Sequence, residues 1–383
     1  MAFDRSLFAD KVSRYCDQLG VSLDELSERT GISLLRLNDL NERKADPTGD
    51  EVLIIADFFR CDYNFFISNE RLTAFEQTEK LFRKYGDELT KEDRWSIQEF
   101  LFLSECEHYL LEALRKPKSA PFSFRPQNNY YKGHGQQAAR LLRKHLGYPE
   151  TADPTSLNIF EDIARTGIHV FRRKVKGTIS GLCIRHPVAG TCILVNYSED
   201  LFRQRFSLAH EIAHAIFDIE TEDFIISFSN WDKNNLVEIR ANTFASNFLI
   251  PPSLTKRIPV QKWDETTVLE WATKLMVNVE PFVIALKENS LISETEYDQF
   301  KLLKVKQAVK GDPEISDRVS AKTRERIAGL LERGLSRFYV NLCFDAYDEG
   351  IVSVGRLSEM LLLDETEIVE AAALFGRVLE HSA

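Results

Sequence analysis

The sequence of 383 residues lacks paired cysteines and long uncharged apolar runs. Its six cysteines are scattered and form no C-x-x-C pair, which favours reduced, buried thiols over a disulfide framework or a thiolate zinc site. Charged residues interrupt every apolar stretch well before about 18 residues, so no membrane-spanning helix is predicted. The first residues include Asp4 and no apolar region typical of signal peptides. We therefore expect a cytoplasmic protein without a membrane partner.

The chain also lacks an excess of positive charge. Its 49 Lys and Arg residues are outnumbered by 59 Asp and Glu residues, and the formal net charge is −10. This balance argues against a protein that coats nucleic acid non-specifically. The fractions of apolar (44%) and charged (28%) residues are those of an ordinary globular protein. At this length we expect two or three compact units with separate cores.

Residues 1–70 are predicted to form short helices with a helix-turn-helix. Ser22 and Ser33 are N-cap signals on either side of a turn at Gly31, and apolar residues recur at helical spacing. In such a motif the second helix enters the major groove of DNA. The candidate DNA-binding residues are Arg36 and Asn38 for base edges, and Asn41, Arg43 and Lys44 for phosphates. The unit carries 8 basic against 14 acidic groups, so weak DNA binding and a protein-docking role both remain open.

A helical connector is predicted over residues 71–116. Thr90 and Asp93 form a capping signal for a long amphipathic helix that ends before Pro117. Residues 113–149 contain eight Lys or Arg and no acidic residue, and their Pro- and Gly-rich part, 117–134, is predicted as a basic linker. Basic residues interleaved with Phe and Tyr can track a phosphate backbone. Alternatively, these charges are solvated or dock on the acidic N-terminal unit.

Beyond the linker, the pattern predicts a mainly α fold with a small β-sheet, an α+β class. Helices are predicted over 135–147 and 156–167, and β-branched, alternating segments predict strands over 168–175, 179–186 and 191–197. We assign 135–290 to one domain and 291–383 to a helical C-terminal domain. Within the latter, residues 348–372 faintly resemble another helix-turn-helix, for which packing against the preceding domain is the preferred role.

A His-Glu-x-x-His sequence at residues 210–214 is the strongest chemical signal. On a helix, positions four apart lie about 40° apart around the axis and ~6 Å apart along it, so His210 and His214 can bind one metal ion. Glu211 lies beside the pair, where a carboxylate can act as a general base. Eight histidines in this chain give roughly 0.01 such motifs by chance. A metal centre is therefore preferred over two hydrogen-bonded core histidines.

A catalytic zinc needs a third protein ligand, and the best candidate is Glu238 on the following predicted helix. Asn242, four residues later, can hydrogen-bond a ligand and orient it. From the residues alone, Glu238 can equally be a solvated residue in the first turn of its helix. Tyr197 and His134 are weaker candidates for an oxyanion donor, and a structural role is preferred for both.

The segment from about 136 to 252 resembles the ImmA/IrrE family of zinc metallopeptidases. A strand ending in Asn, an R-x-R-F-x-x-A-H-E-x-x-H helix and an E-x-x-A-N-x-F-A-x-x-L-x-x-P helix occur in the family's order. The matching positions are Asn196, Arg203, Arg205, His210, Glu211, His214, Glu238, Ala241, Asn242, Phe244, Ala245, Leu249 and Pro251. The resemblance implies a zincin-like domain with Zn²⁺ bound by His210, His214 and Glu238, and Glu211 as catalytic base. Ala213 and Ile250 depart from the family's usual glycine and methionine.

Residues 1–70 resemble the XRE, or lambda-repressor-like, helix-turn-helix family. The two resemblances imply a zinc endopeptidase that cleaves a protein partner such as a repressor, in transcriptional or stress/prophage-type regulation, with the helix-turn-helix directing it to DNA or to that partner. The alternative is a DNA-binding regulator whose protease-like domain senses a metal or ligand and cuts nothing. The complete set of His210, Glu211, His214 and Glu238 favours the peptidase. The sequence is compatible with a homo-oligomer.

Overall fold

The computed structural model describes residues 3–61, 63–68, 76–86, 88–116, 122–127, 129–149, 155–228 and 235–379. Its described part is mainly helical with one small mixed sheet, which confirms the predicted α+β class. All six cysteines fall in described regions, where they are buried and form no disulfide. No helix in these regions is long and apolar enough to cross a membrane.

The N-terminal part is helical up to residue 113. Its elements are α1 (Arg5–Leu19), α2 (Leu23–Thr30), α3 (Leu34–Asn41), α4 (Gly49–Phe58), α5 (Tyr63–Ile67), α6 (Glu76–Tyr85) and α7 (Lys91–Ala113). Between α2 and α3, Gly31 has a left-handed φ of 74°, and Ser33 accepts a hydrogen bond from the backbone N–H of Arg36. A glycine is suited to this turn because a Cβ disfavours positive φ. The two helices therefore meet at the turn that the sequence predicts.

The central part contains the sheet and the helices around it. Its elements are α8 (Tyr131–His145), α9 (Ile159–Ala164), β1 (His169–Arg173), β2 (Ile179–His186), β3 (Gly190–Asn196), α10 (Leu201–Phe217), β4 (Phe224–Phe228), α11 (Leu236–Leu249), α12 (Pro252–Thr255), α13 (Glu265–Lys274), α14 (Val279–Glu288) and α15 (Glu294–Phe300). The strand order is β1-β3-β2-β4, with β1 and β3 parallel and the other pairs antiparallel. Helix α8 begins at Tyr131, inside the segment predicted as linker.

The C-terminal part contains a pair of helices joined by a turn like the one between α2 and α3. After a short 3₁₀ turn come α16 (Ala321–Glu332), α17 (Arg337–Asp348), α18 (Val354–Leu361) and α19 (Glu365–Leu374). Leu362 takes the left-handed conformation held by Gly31 in the first pair. The hydroxyls of Ser27 and Ser358 donate to the carbonyls of Ile32 and Leu363, the second turn residue of each pair. The faint pattern in the sequence therefore corresponds to a repeated local geometry.

Two apolar clusters fill the interior and lie on opposite faces of the sheet. The first joins α1–α5, α7 and α16–α19 to the sheet face that carries Phe171, Leu182 and Leu194. The second joins α8–α15 to the face that carries Cys183 and Ile193. Because side chains alternate along a strand, neighbouring residues of one strand reach different clusters. The predicted domain limits at residues 70 and 290 stay predictions. Helix α15 lies beyond residue 290 and belongs to the second cluster.

Candidate metal centre

Helix α10 places the His-Glu-x-x-His residues in the interior. Asp200 caps its N-terminus by accepting a hydrogen bond from the backbone N–H of Arg203. Most of the helix is apolar and packs between the sheet and α11. His210, Glu211 and His214 are consequently all buried, with exposures of 7%, 0% and 0%.

Helix α11 brings Glu238 to the same point. The nitrogen His210 Nε2 lies 3.0 Å from His214 Nε2 and 3.2 Å from Glu238 Oε2. Glu238 Oε1 lies 3.5 Å from His214 Nε2. These three residues form a cluster whose possible ligand atoms all lie within 4.8 Å of one another. The structure therefore brings together the three side chains that the sequence nominates as ligands.

The spacing of the three side chains fits a tetrahedral metal. Donor atoms bound tetrahedrally at about 2.0–2.1 Å lie roughly 3.3 Å from each other. The two Nε2 atoms are 3.0 Å apart, and each lies near that distance from one of the two Glu238 oxygens, His210 at 3.2 Å from Oε2 and His214 at 3.5 Å from Oε1. Two imidazoles and one carboxylate also form the ligand set of hydrolytic metal sites that leave a fourth position to water. The described residues can therefore hold a metal ion without rearrangement of their helices.

Hydrogen bonds to residues outside the ligand cluster hold the two imidazoles in place. The amide oxygen Oδ1 of Asn242 lies 3.2 Å from His210 Nδ1. The carboxylate oxygen Oδ2 of Asp218 lies 2.9 Å from His214 Nδ1, and Asp218 also pairs with Arg240. These contacts leave Nε2 of each histidine directed to the ligand cluster. Sequence reasoning proposed Asn242 but missed Asp218, although it lies four residues after His214, the spacing that defines the histidine pair.

Glu211 is a buried carboxylate whose two oxygens have no hydrogen-bond partner among the described residues. Burial raises its pKa, while the charges of His214 and His210 act in the opposite direction. The carboxylate fits only because residue 181 is glycine, since a Cβ there would lie 2.5 Å from Glu211 Oε1. A buried acceptor without a partner is costly in an ordinary core. Its presence beside three candidate ligands is typical of a group that receives a proton.

Glu238 has the opposite electrostatic environment. Burial acts to raise its pKa, but the hydrogen bond and charge of His210, together with His214, outweigh burial, and the net shift is downward. The carboxylate therefore stays ionised, as metal ligation requires. Glu211 and Glu238 lie at one site with pKa values displaced in different directions, an arrangement typical of carboxylates with different roles.

The two weaker oxyanion candidates lie in other surroundings. The guanidinium carbon of Arg172 lies 5.4 Å from the centre of the Tyr197 ring. His134 is stacked on Phe217 at 6.5 Å and belongs to the first turn of α8. Both positions are consistent with the preferred structural roles.

The candidate DNA-binding cations are paired with carboxylates. Arg36 donates to both carboxylate oxygens of Glu51, at 2.7 and 2.9 Å. Arg43 pairs with Asp10 at 2.7 Å, and Lys44 pairs with Glu42. Asn38 and Asn41 are half-buried on α3. Contact of the Arg36 guanidinium with DNA would compete with its ion pair with Glu51 and its hydrogen bond to the carbonyl of Asp46.

Comparison with known families finds a similarity in the central part of the chain. Residues 163–287 match the family model for the IrrE N-terminal-like domain of the Peptidase M78 family. A search of curated proteins finds no match. The matched region spans the whole sheet, α10 and α11, and therefore all the candidate metal-site residues. It covers about a third of the chain and supports a metallopeptidase-type regulatory protein, so we describe residues 163–287 as similar to the ImmA/IrrE family.

Proposed function

We propose that this protein is a zinc-dependent endopeptidase that cleaves a protein partner such as a repressor and acts in transcriptional or stress/prophage-type regulation. One observation carries the proposal. The possible ligand atoms of His210, His214 and Glu238 lie within 4.8 Å of one another, and the buried carboxylate of Glu211, whose oxygens have no hydrogen-bond partner among the described residues, lies beside them. Zinc is the preferred metal because two imidazoles and one carboxylate suit it.

His210, His214 and Glu238 would hold the zinc ion, with Asn242 and Asp218 fixing the orientation of the imidazoles. When bound, zinc supplies Lewis-acid chemistry by polarising a carbonyl and acidifying water. Glu211 takes the proton of the attacking water and passes it to the leaving amine of the substrate. Burial raises the pKa of Glu211, which favours the protonated form that delivers this proton. The bond broken is the scissile peptide bond, and water provides the new carboxylate oxygen.

The test is the Glu211→Gln substitution, which keeps the shape of the side chain and removes its basicity. The metal content of the purified protein should equal that of the wild type, while cleavage of a co-expressed partner encoded by a neighbouring gene should stop. Glu220→Gln at an exposed position is the matched control and should retain cleavage. Unchanged cleavage by the Glu211 variant would rule out Glu211 as the base.

The alternative function is a DNA-binding regulator whose peptidase-like domain senses a metal or ligand. The geometry of α2 and α3 supports a helix-turn-helix, whereas the ion pairs of Arg36 and Arg43 favour docking on a partner over DNA. Regulation in cells that is unchanged by Glu211→Gln would favour the sensor. Loss of regulation together with loss of cleavage would favour the peptidase.

A further inference from the structure

A cleft outside the metal centre has the properties of a ligand site. Helix α8 forms one wall, and the junction between α11 and α12 forms the other. Its volume is about 1050 Å³, at the upper end of the range of small-ligand sites. No His, Asp or Glu lines it in the described part of the chain. The cleft is therefore separate from the His210, His214 and Glu238 cluster.

The cleft is positively charged. Arg140 and Lys144 lie one helical turn apart on the exposed side of α8, and both line the cleft. Neither forms an ion pair with a described residue, whereas Lys132 on the same helix pairs with Glu288 at 2.7 Å. The negative end of the α8 dipole accounts for Lys144 in the last turn. Arg140 lies one turn earlier, where the dipole contributes less.

Arg143 adds a fixed third cation. Its guanidinium is buried and donates to Thr155 Oγ1 at 2.8 Å and to the carbonyl of Phe248 at 2.7 Å. With a third hydrogen bond, to the carbonyl of Pro149 at 3.1 Å, these contacts hold the guanidinium in a fixed orientation at the cleft. The amide side chains of Gln136 and Asn247 also line the cleft and can donate hydrogen bonds. This donor set suits an anion that has several oxygen atoms.

We propose that this cleft binds a phosphate group, carried either by a free nucleotide or by a nucleic-acid backbone. Arg and Lys recognise phosphate through charge-assisted hydrogen bonds. Apolar surface from Leu141, Tyr148 and Pro251 in the same cleft provides contact for a sugar or base. Neither the proposed metal ligands nor the catalytic base lines the cleft, so binding can be measured in a protein whose peptidase activity has been removed.

The test measures equilibrium binding of ATP and of a single-stranded 20-nucleotide oligothymidylate to the full-length protein at low salt. The double substitution Arg140→Ala and Lys144→Ala should weaken binding about tenfold or more, which is about 1.4 kcal/mol or more, because it removes two cations that contact the phosphate. Lys304→Ala with Lys306→Ala removes the same charge from exposed positions outside the cleft and should bind as the wild type.

Binding is cleft-dependent when the Arg140→Ala and Lys144→Ala substitutions weaken it and the control pair does not. Cleft-dependent binding of ATP identifies a nucleotide as the source of the phosphate. Cleft-dependent binding of the oligonucleotide alone identifies a nucleic-acid backbone, and its salt dependence should then fall by about 1.4 in logarithmic slope for two lost contacts. Absence of binding by both probes, or equal weakening by the control pair, would overturn the proposal. Thermal unfolding of each variant verifies that it is folded. Glu211→Gln should bind like the wild type, so failure of this site and failure of the proposed peptidase are distinguishable.

Discussion

At the scale of single residues, Gly181 sets the position of the candidate base. The carboxylate of Glu211 occupies the space of a Cβ at this position, with three of its atoms between 2.5 and 2.8 Å from where that Cβ would lie. The substitution Gly181→Ala should displace the carboxylate and lower the cleavage rate about 100-fold, because a shift of about 1 Å has such an effect on catalytic groups. Metal content should be unchanged, since the three atoms nearest to this Cβ all belong to Glu211 and none to a candidate ligand.

The control for Gly181 is Gly329→Ala in helix α16. A Cβ at that position meets no atom within 4 Å, and the backbone is helical. It should leave cleavage unchanged and stabilise the protein slightly, since alanine in a helix is favoured by about 0.5–1 kcal/mol. Full activity in Gly181→Ala would show that Glu211 can act from another position.

Asp218 is the residue that fixes the orientation of His214. Its carboxylate accepts from His214 Nδ1 and pairs with the buried guanidinium of Arg240. Asp218→Ala should lower zinc affinity about 10- to 100-fold, as the loss of such partners does in other metal sites. Asp218→Asn keeps an acceptor for the imidazole N–H and should lower the zinc affinity less than Asp218→Ala does. Competition with a chromophoric chelator measures both variants, and Asp223→Ala at an exposed position is the control. Equal affinities for Asp218→Ala and the wild type would exclude this role.

At the scale of elements, Asp93 links the connector helix α7 to the sheet. It is fully buried, and its Oδ2 accepts from the N–H and hydroxyl of Thr90 in the capping box of α7. Its Oδ1 accepts from the backbone N–H groups of Lys176 and Gly177 in the β1–β2 loop. The sequence predicts the cap, because Thr90 is three residues away. It does not predict the second pair of donors, which are more than 80 residues away.

Asp93→Ala should therefore destabilise the protein more than the loss of an ordinary cap. The backbone N–H groups of Lys176 and Gly177 are partly buried, so each costs less without its acceptor than the roughly 1–3 kcal/mol of a fully buried donor. Together with the lost cap, we expect a loss of about 2–4 kcal/mol in the free energy of unfolding. Glu296→Ala removes the corresponding residue of an exposed capping box on α15 and should cost about 1 kcal/mol or less. Urea denaturation measures both values. Equal losses would mean that the contacts of Asp93 with the loop contribute nothing.

The same contrast between local and distant partners explains which elements the sequence predicts. The helix α10 and the strands β1–β3 have periodic patterns of their own and appear where expected. Strand β4 was not predicted, because its five residues FIISF do not alternate and its pairing with β2 depends on residues about 45 positions earlier. The ligand pair His210 and His214 follows from one helical turn, whereas the proximity of Glu238 depends on how α11 packs. Likewise, no local pattern shows that Glu51 pairs with Arg36.

At the scale of the whole molecule, buried ion pairs attach the C-terminal part to the sheet. Arg172 on β1 pairs with Asp312 and Glu314, at 2.5 and 2.9 Å, and all three side chains are buried. Lys310 pairs with Asp200, the N-cap of α10, at 3.0 Å. Removing one partner of such a pair leaves an uncompensated buried charge. The segment before α16 is thus fixed to the start of the helix that carries the candidate metal ligands.

The first apolar cluster predicts that the two ends of the chain unfold together. Leu357 on α18 is fully buried in the cluster that also contains the core of α1–α5, and Leu357→Ala should cost about 2–5 kcal/mol. Helix α7 packs against both parts. In native-state hydrogen exchange, the slowly exchanging amides of α1–α5 should therefore exchange at least about 30-fold faster in Leu357→Ala than in the wild type. Leu286→Ala, equally buried in the second cluster, should leave α1–α5 protected. If residues 1–70 instead form an autonomous domain, Leu357→Ala will leave their exchange rates unchanged, and the shared cluster will have no cooperative consequence.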